Sequence, residues 1–161
     1  MTARYTGPGK GIALDTFDGI HTVKVSAEDT DGAYELFEVD APHGPAVPML
    51  RTPWAKTFYL LAGTMTVHVE GERHELEPGA TITIPDGAAH AFEVTTPTAR
   101  FLAFTLTDAA GRLLADIVAS IPPGRPMQDL APLLVRVAHR HGVTFAADDP
   151  PQSSSSPTPH R

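Results

Sequence analysis

The chain has no cysteine, which excludes disulfides, thiolate zinc sites and a cysteine nucleophile but leaves the compartment open. Lysine is scarce. Lys10, Lys24 and Lys56 stand against nine arginines. No run approaches the roughly 18 apolar residues of a membrane span. The first ten residues are polar and rich in Gly and Pro, without the apolar core of a secretion signal, so a cytoplasmic location is expected. A basic face is missing too: the formal net charge is −7 and the pI near 5.5. That argues against a nucleic-acid partner, because phosphate binding calls for clustered positive charge.

What is present is enough for one domain with a real core, at 161 residues. Four segments are expected: an N-terminal arm over 1–20, a β-domain over 21–107, a helical extension over 108–145 and a tail over 146–161. Within the β-domain, His21–Val25 and Ala33–Val39 alternate with period two. A Pro-rich loop spans Asp40–Pro53. Short strands then follow at Thr57–Ala62, Met65–Glu70, Arg73–Leu76, Ala80–Ile84, Ala91–Thr95 and Ala99–Leu106, separated by Gly and Pro turns. That spacing predicts an all-β sandwich or barrel without βαβ units. Beyond Asp108 the texture changes. Leu113, Leu114, Ile117, Val118 and Ile121 fall at helical spacing, as do Leu133, Leu134 and Val137, with Asp129 placed to cap the second helix and Gly142 to stop it. Both helices are expected to pad the outside of the β-domain. The tail, with its DDPP and SSSS runs, carries too few apolar residues to fold, and His160 within it is expected to be inert.

The most specific stretch is Gly79-Ala-Thr-Ile-Thr-Ile-Pro85-Asp-Gly87-Ala-Ala-His90. A glycine turn leads into a β-branched strand, then a Pro-x-Gly turn, then a histidine. It matches the second motif of the cupins, G-x5-P-x-G-x2-H, at every fixed position, although Val94 stands where an Asn is usual. Gly63 closes the first motif. Lys56 takes the place of its glutamate, and its two histidines fall on Met49 and Arg51. Residues 7–11 (GPGKG), 22–39, 57–67 and 141–145 (HGVTF) also resemble the quercetinase-like single-domain cupins, so the likeness runs over about residues 4–145. It implies a jelly-roll β-barrel with two C-terminal helices packed outside, a pocket inside the barrel and a homodimer. In metal-binding members three histidines and a glutamate hold the ion. Here only His90 carries over. Met49 is a poor ligand for a hard cation, and Arg51 and Lys56 would repel one. No cofactor is therefore expected.

If ligand-position side chains keep pointing inward, Arg51, Lys56 and His90 converge on an apolar cavity with Met49. Alternation names Phe58, Leu60, Phe92, Val94, Leu102 and Phe104 as walls. Such a pocket suits a small apolar molecule bearing a carbonyl or anion. Arg51 would clamp an oxyanion, Lys56 would act as base, electrophile or Schiff-base former, and His90 as general acid or base. Cyclisation, isomerisation or dehydration fits this set, and a cyclase or isomerase of specialised metabolism is the leading reading. Two alternatives stay open. A metal-dependent dioxygenase would rebuild its site from His90 with His43 or His68, and a non-catalytic binder would use the pocket alone. Arg51 and Lys56 have long stems that also allow them to turn outward. Tyr59 is expected to face outward, His74 to be exposed, Asp86 to be a turn residue and Trp54 to anchor a loop or a dimer contact.

Overall fold

A computed structural model describes residues 2–44, 48–122 and 124–146. Ten strands and two helices follow one another along the chain. They are β1 (Ile12–Thr16), β2 (Gly19–Val25), β3 (Tyr34–Gly44), β4 (Leu50–Arg51), β5 (Lys56–Ala62), β6 (Met65–Val69), β7 (Glu72–Leu76), β8 (Thr81–Ile84), β9 (His90–Leu106), α1 (Ala109–Ser120), α2 (Met127–Arg140) and β10 (Thr144–Phe145). All pairings are antiparallel. The long β9 is the hub, pairing with β3, β4, β5 and β6, while β8 adds to β5 and β7 to β6. The result is the expected jelly-roll barrel with C-terminal helices. Its core includes Phe37, Val39, Leu60, Met65, Val67, Ile84 and Phe101, each at most 2 % exposed. Burying such side chains supplies most of the drive to fold. No helix among the described residues is long and apolar enough to cross a membrane.

Turn chemistry explains the tight connections. Glu70 and Gly71 both have positive φ (48° and 81°) and close a two-residue hairpin between Val69 and Glu72. Gly63 has φ 77°, and a Cβ there would run into the carbonyl of Thr98, so no other residue fits.

The structure departs from the expected layout in four places. The first strand begins at Ile12, inside the segment expected to be an arm over 1–20, because Ile12–Thr16 pairs fully with Gly19–Val23. Part of the Asp40–Pro53 loop is strand: β3 runs on to Gly44. The two segments expected at 91–95 and 99–106 form one strand. Asp129 sits in the first turn of α2, whose N-cap is Pro126 with no side-chain cap bond. From residue 147 the expected tail, including His160, lies outside the described residues.

Helix α1 is fastened to the barrel by a buried carboxylate. Glu35 of β3, 5 % exposed, accepts the Gly111 N–H at 2.9 Å and the Thr105 hydroxyl at 3.4 Å. A carboxylate at the first turn satisfies an orphan donor and meets the positive end of the helix. Gly111 is glycine for a local reason, since a Cβ there would run into Glu35 Oε1.

Candidate functional site

A cavity of about 150 Å³ opens at one end of the barrel, a size that holds a single aromatic ring. Phe58, Phe92 and Phe101 form its deep wall, with Phe101 centroids 4.9 and 5.5 Å from the other two. The N-terminal hairpin contributes Phe17, and α1 contributes Leu113, Leu114 and Ile117. The helix therefore does more than pad the outside: its apolar stripe closes the site.

His90 is delivered by the turn that precedes it. Gly87, at φ 75°, donates its N–H to the Thr52 carbonyl at 2.8 Å, which ties the Pro85-x-Gly87 turn to the chain around β4. His90 then opens β9 between Leu50 on one side and Val69 on the other. The ring is 5 % exposed, and its Nδ1–H donates to the Ala88 carbonyl at 2.9 Å. In the neutral ring Nε2 then carries the lone pair. Burial, together with the nearby charge of Lys56, pulls the imidazole down to about 4, so the ring is neutral at pH 7.

Lys56 opens β5, flanked by Ile84 of β8 and Thr105 of β9. Its Nζ lies 5.9 Å from the centre of the Trp54 ring, within cation–π reach. Burial pulls the amine down to about 8, with Asp18 partly offsetting the drop. An ammonium that gives up its proton near neutrality beside a neutral imidazole makes a proton-transfer pair.

Arg51 does not join them. Its Nη1 donates to Glu70 Oε1 at 2.9 Å and to the Gly87 carbonyl at 2.8 Å, on the outer rim of the barrel. Met49 is likewise absent from the cavity lining, whereas Leu50 and Thr52 are there. The expected phase was off by one. Directly paired residues of an antiparallel ladder share a face, and Leu50 pairs with the inward His90. The residue between Leu50 and Thr52 must therefore turn out. Thr52, 3 % exposed, has its hydroxyl tied to the Trp54 carbonyl at 2.9 Å.

Of the expected walls, Phe58 and Phe92 line the cavity. Leu60 and Val94 are buried, but outside the cavity lining, in the core. Leu102 and Phe104 face the opposite side of the sheet from Phe101, Ala103 and Thr105, and Phe104 is 39 % exposed against Tyr34. The phase of β9 changes along its length, across an irregular stretch of its pairing with β3. Between Pro42 and Gly44 on β3, β9 advances from Thr98 back to Val94, four residues against two. The inward face moves from even numbers at Phe92 and Val94 to odd ones at Ala99, Phe101 and Ala103.

Among the lining residues that sequence reasoning left out of the site are Asp18, His21, Thr52 and Trp54. Trp54, expected as a loop or dimer anchor, is 7 % exposed and stands in the cavity wall. The sequence signal for Asp18 is the Asp-Gly pair between two runs that form strands, Ile12–Thr16 and Gly19–Val25.

A metal is the group that the family resemblance would place here, so the donor set matters. The barrel positions offer Leu50, Thr52, Lys56 and His90, with one imidazole and one ammonium among them, and the hairpin adds Asp18 and His21, whose Oδ1 and Nε2 are bonded to each other at 2.9 Å. His43 is exposed, His68 sits opposite Ala91 on the strand face away from Val67 and Val69, and His74 leans on Glu72 at 3.5 Å. None of the three lines the cavity. Among the described residues, no group of three or more His, Asp or Glu side chains is placed to hold a metal ion. These residues do not fit a transition metal.

Residues 36–105 match the cupin domain family model. Over 87 residues, 53 % of this chain, the sequence is 29 % identical to quercetin 2,3-dioxygenase of Bacillus subtilis strain 168; the matched stretch spans only 26 % of that protein. Among solved structures, the polyketide cyclase RemF from Streptomyces resistomycificus superposes with a TM-score of 0.56 at 24 % identity, over 65 % of this chain and 80 % of that one. KdgF from Halomonas sp. gives 0.59 at 15 % identity, over 66 % and 94 %. Both structural likenesses are of fold.

Proposed function

The chain belongs to the cupin superfamily, and from that premise we propose that it binds and transforms a small apolar carbonyl compound by proton transfer, as a metal-independent cyclase or isomerase. The observation that carries this reading is the inward set of Lys56 and His90 in an aromatic cavity with one-ring capacity. A carbonyl oxygen set against Lys56 Nζ gains a hydrogen bond that strengthens as negative charge develops on it. Neutral His90 offers Nε2 to take a proton from the adjacent carbon. Trp54 and the phenylalanines hold the ring and exclude water. Arg51, held at the rim by Glu70 and Gly87, is assigned no step.

Benzoylacetone tests this directly, because its enolate absorbs apart from its neutral forms. Adding wild-type protein near pH 7 should raise the enolate band and quench Trp54, the only tryptophan. Lys56→Met should abolish the enolate rise. An undiminished enolate band in Lys56→Met and His90→Gln would defeat the assignment. Quenching with no enolate in wild type would favour a purely binding role. Chelator-sensitive consumption of dioxygen would favour the dioxygenase that the Bacillus relative's name describes.

A homodimer is part of the proposal. Tyr34, Tyr59, Leu61, Phe104 and Leu106 are each at least 39 % exposed, and the ladder joins Tyr34 to Leu106 and Tyr59 to Leu102 across one outer sheet face. Scattered apolar residues need no explanation, but a contiguous strip does. Sedimentation of Phe104→Glu against wild type checks it: the variant should run as the monomer.

A further inference from the structure

Asp18 and His21 lie outside both sequence motifs, yet they line the same cavity as Lys56 and His90. They come from the β1–β2 hairpin, whose Phe17–Asp18 turn reaches the open end of the barrel. The turn is built rather than loose. Gly19 has φ 145°, and a Cβ on it would stand 2.5 Å from the Asp40 carbonyl, so the hairpin is seated directly on β3. The Thr16 hydroxyl donates to Asp18 Oδ1 at 2.6 Å. On the other side His21 Nε2 donates to the same oxygen at 2.9 Å. Both partners are mostly withdrawn from solvent, with 13 % of the His21 side chain and 18 % of Asp18 exposed. A carboxylate that fixes one ring nitrogen sets the tautomer and leaves the other nitrogen for chemistry. His21 Nδ1 has no protein partner among the described residues.

We infer that Asp18 and His21 are a second proton-handling pair, set to return at one carbon of the ligand the proton that His90 removes at another. The inference rests on the proton-transfer reading above. It deepens that reading to a class of substrate: a cyclic β,γ-unsaturated ketone, or any single-ring carbonyl whose double bond must migrate. The step balances without a co-reactant. His90 Nε2 takes the proton from the carbon between the carbonyl and the double bond. That C–H pair moves into the ring to give a dienolate, its oxygen held by Lys56 Nζ. The remote carbon then takes a proton from the His21 imidazolium, whose charge Asp18 steadies, and the carbonyl reforms. Solvent resets both histidines. Asp18 is a positioning residue and His21 a catalytic one. The support beyond geometry is charge: burial pushes the Asp18 carboxyl up, but its bonds to His21 and Thr16 outweigh this and hold it below the ordinary range.

The test is the isomerisation of 3-cyclohexenone to 2-cyclohexenone, followed by ultraviolet absorption, with binding read from Trp54 fluorescence. Wild type should accelerate the reaction, and in deuterium oxide the product should carry one deuterium at the remote carbon, because donor and acceptor are different groups. His21→Gln should lose about 100-fold in rate and Asp18→Asn about tenfold, both with probe affinity within about twofold of wild type. In Asp18→Asn, nitrogen NMR should also show the His21 tautomer released. His21→Gln keeps the Thr16–Asp18 bond and serves if Asp18→Asn does not fold. Wild-type rates in both variants, with the His90→Gln rate lost, would overturn this inference and leave the proton-transfer reading standing. A probe that quenches Trp54 but is never converted, or one that does not bind, would overturn both.

Discussion

The two ends of the barrel are made of the same strands and do different work. At the closed end Leu60, Met65, Val67 and Val94 are at most 2 % exposed and lie outside the cavity lining. At the open end the same strands β5, β6 and β9 begin or end on Lys56, Val69 and His90, and the hairpin and α1 are laid over them. The strands are common to both ends, so the difference lies in what covers them. Packed apolar side chains stabilise; charged groups held in an apolar wall cost stability and gain reactivity. The molecule separates these roles along the barrel axis, and mutations should separate them too.

The largest expected effect is at the closed end. Leu60→Ala should destabilise the fold by about 2–5 kcal/mol, read from urea unfolding, while the pH behaviour of the open end is unchanged. A smaller effect of opposite sign is expected from Lys56→Met. The folded Lys56 amine titrates at about 8 against an ordinary 10.5, so the unfolded chain binds more protons between those values. Wild-type stability should therefore rise as pH climbs from about 8 to 10.5, and Lys56→Met should remove that rise and gain on the order of 2 kcal/mol at pH 7 after allowance for screening. His90 gives a second window. Its folded value of about 4 against 6.5 means that stability is full above 6.5 and falls as pH drops toward 4, a fall that His90→Gln should flatten. The smallest effect is at the rim. The Arg51–Glu70 pair is partly solvent-exposed, so Arg51→Ala should change stability by about 1 kcal/mol or less and leave the benzoylacetone enolate band at wild-type height. Loss of that band would place Arg51 back in the site.

Much of this was legible in the residues. Gly63, Gly79, Pro85 and Gly87 carry turn chemistry that only a few residue types supply, and they brought His90 to the cavity without ambiguity. Lys56 followed from its place in the first motif, where the family's glutamate stands, just ahead of the Thr57–Ala62 strand. What failed was phase. A two-residue strand such as Leu50–Arg51 has too little alternation to declare its own face, and its phase is set by its partner His90. The inward face of β9 changes from even to odd numbers between Val94 and Ala99, within an irregular stretch of its pairing with β3, and the only local hint was Pro97 among threonines. Asp18 and His21 were invisible as site residues because their position depends on a hairpin seated by Gly19 against a distant carbonyl. The Leu113, Leu114 and Ile117 stripe announced a buried face but not that a cavity lay beneath it.

The central claim is that the open end works by proton chemistry and not through a metal. The measurement closest to it is elemental analysis of the protein after equilibration with iron(II), nickel(II) and zinc(II) and removal of free ions. The account predicts well under one bound ion per chain for wild type and no change in His90→Gln. One tightly held transition metal per chain, lost in His90→Gln, would contradict it.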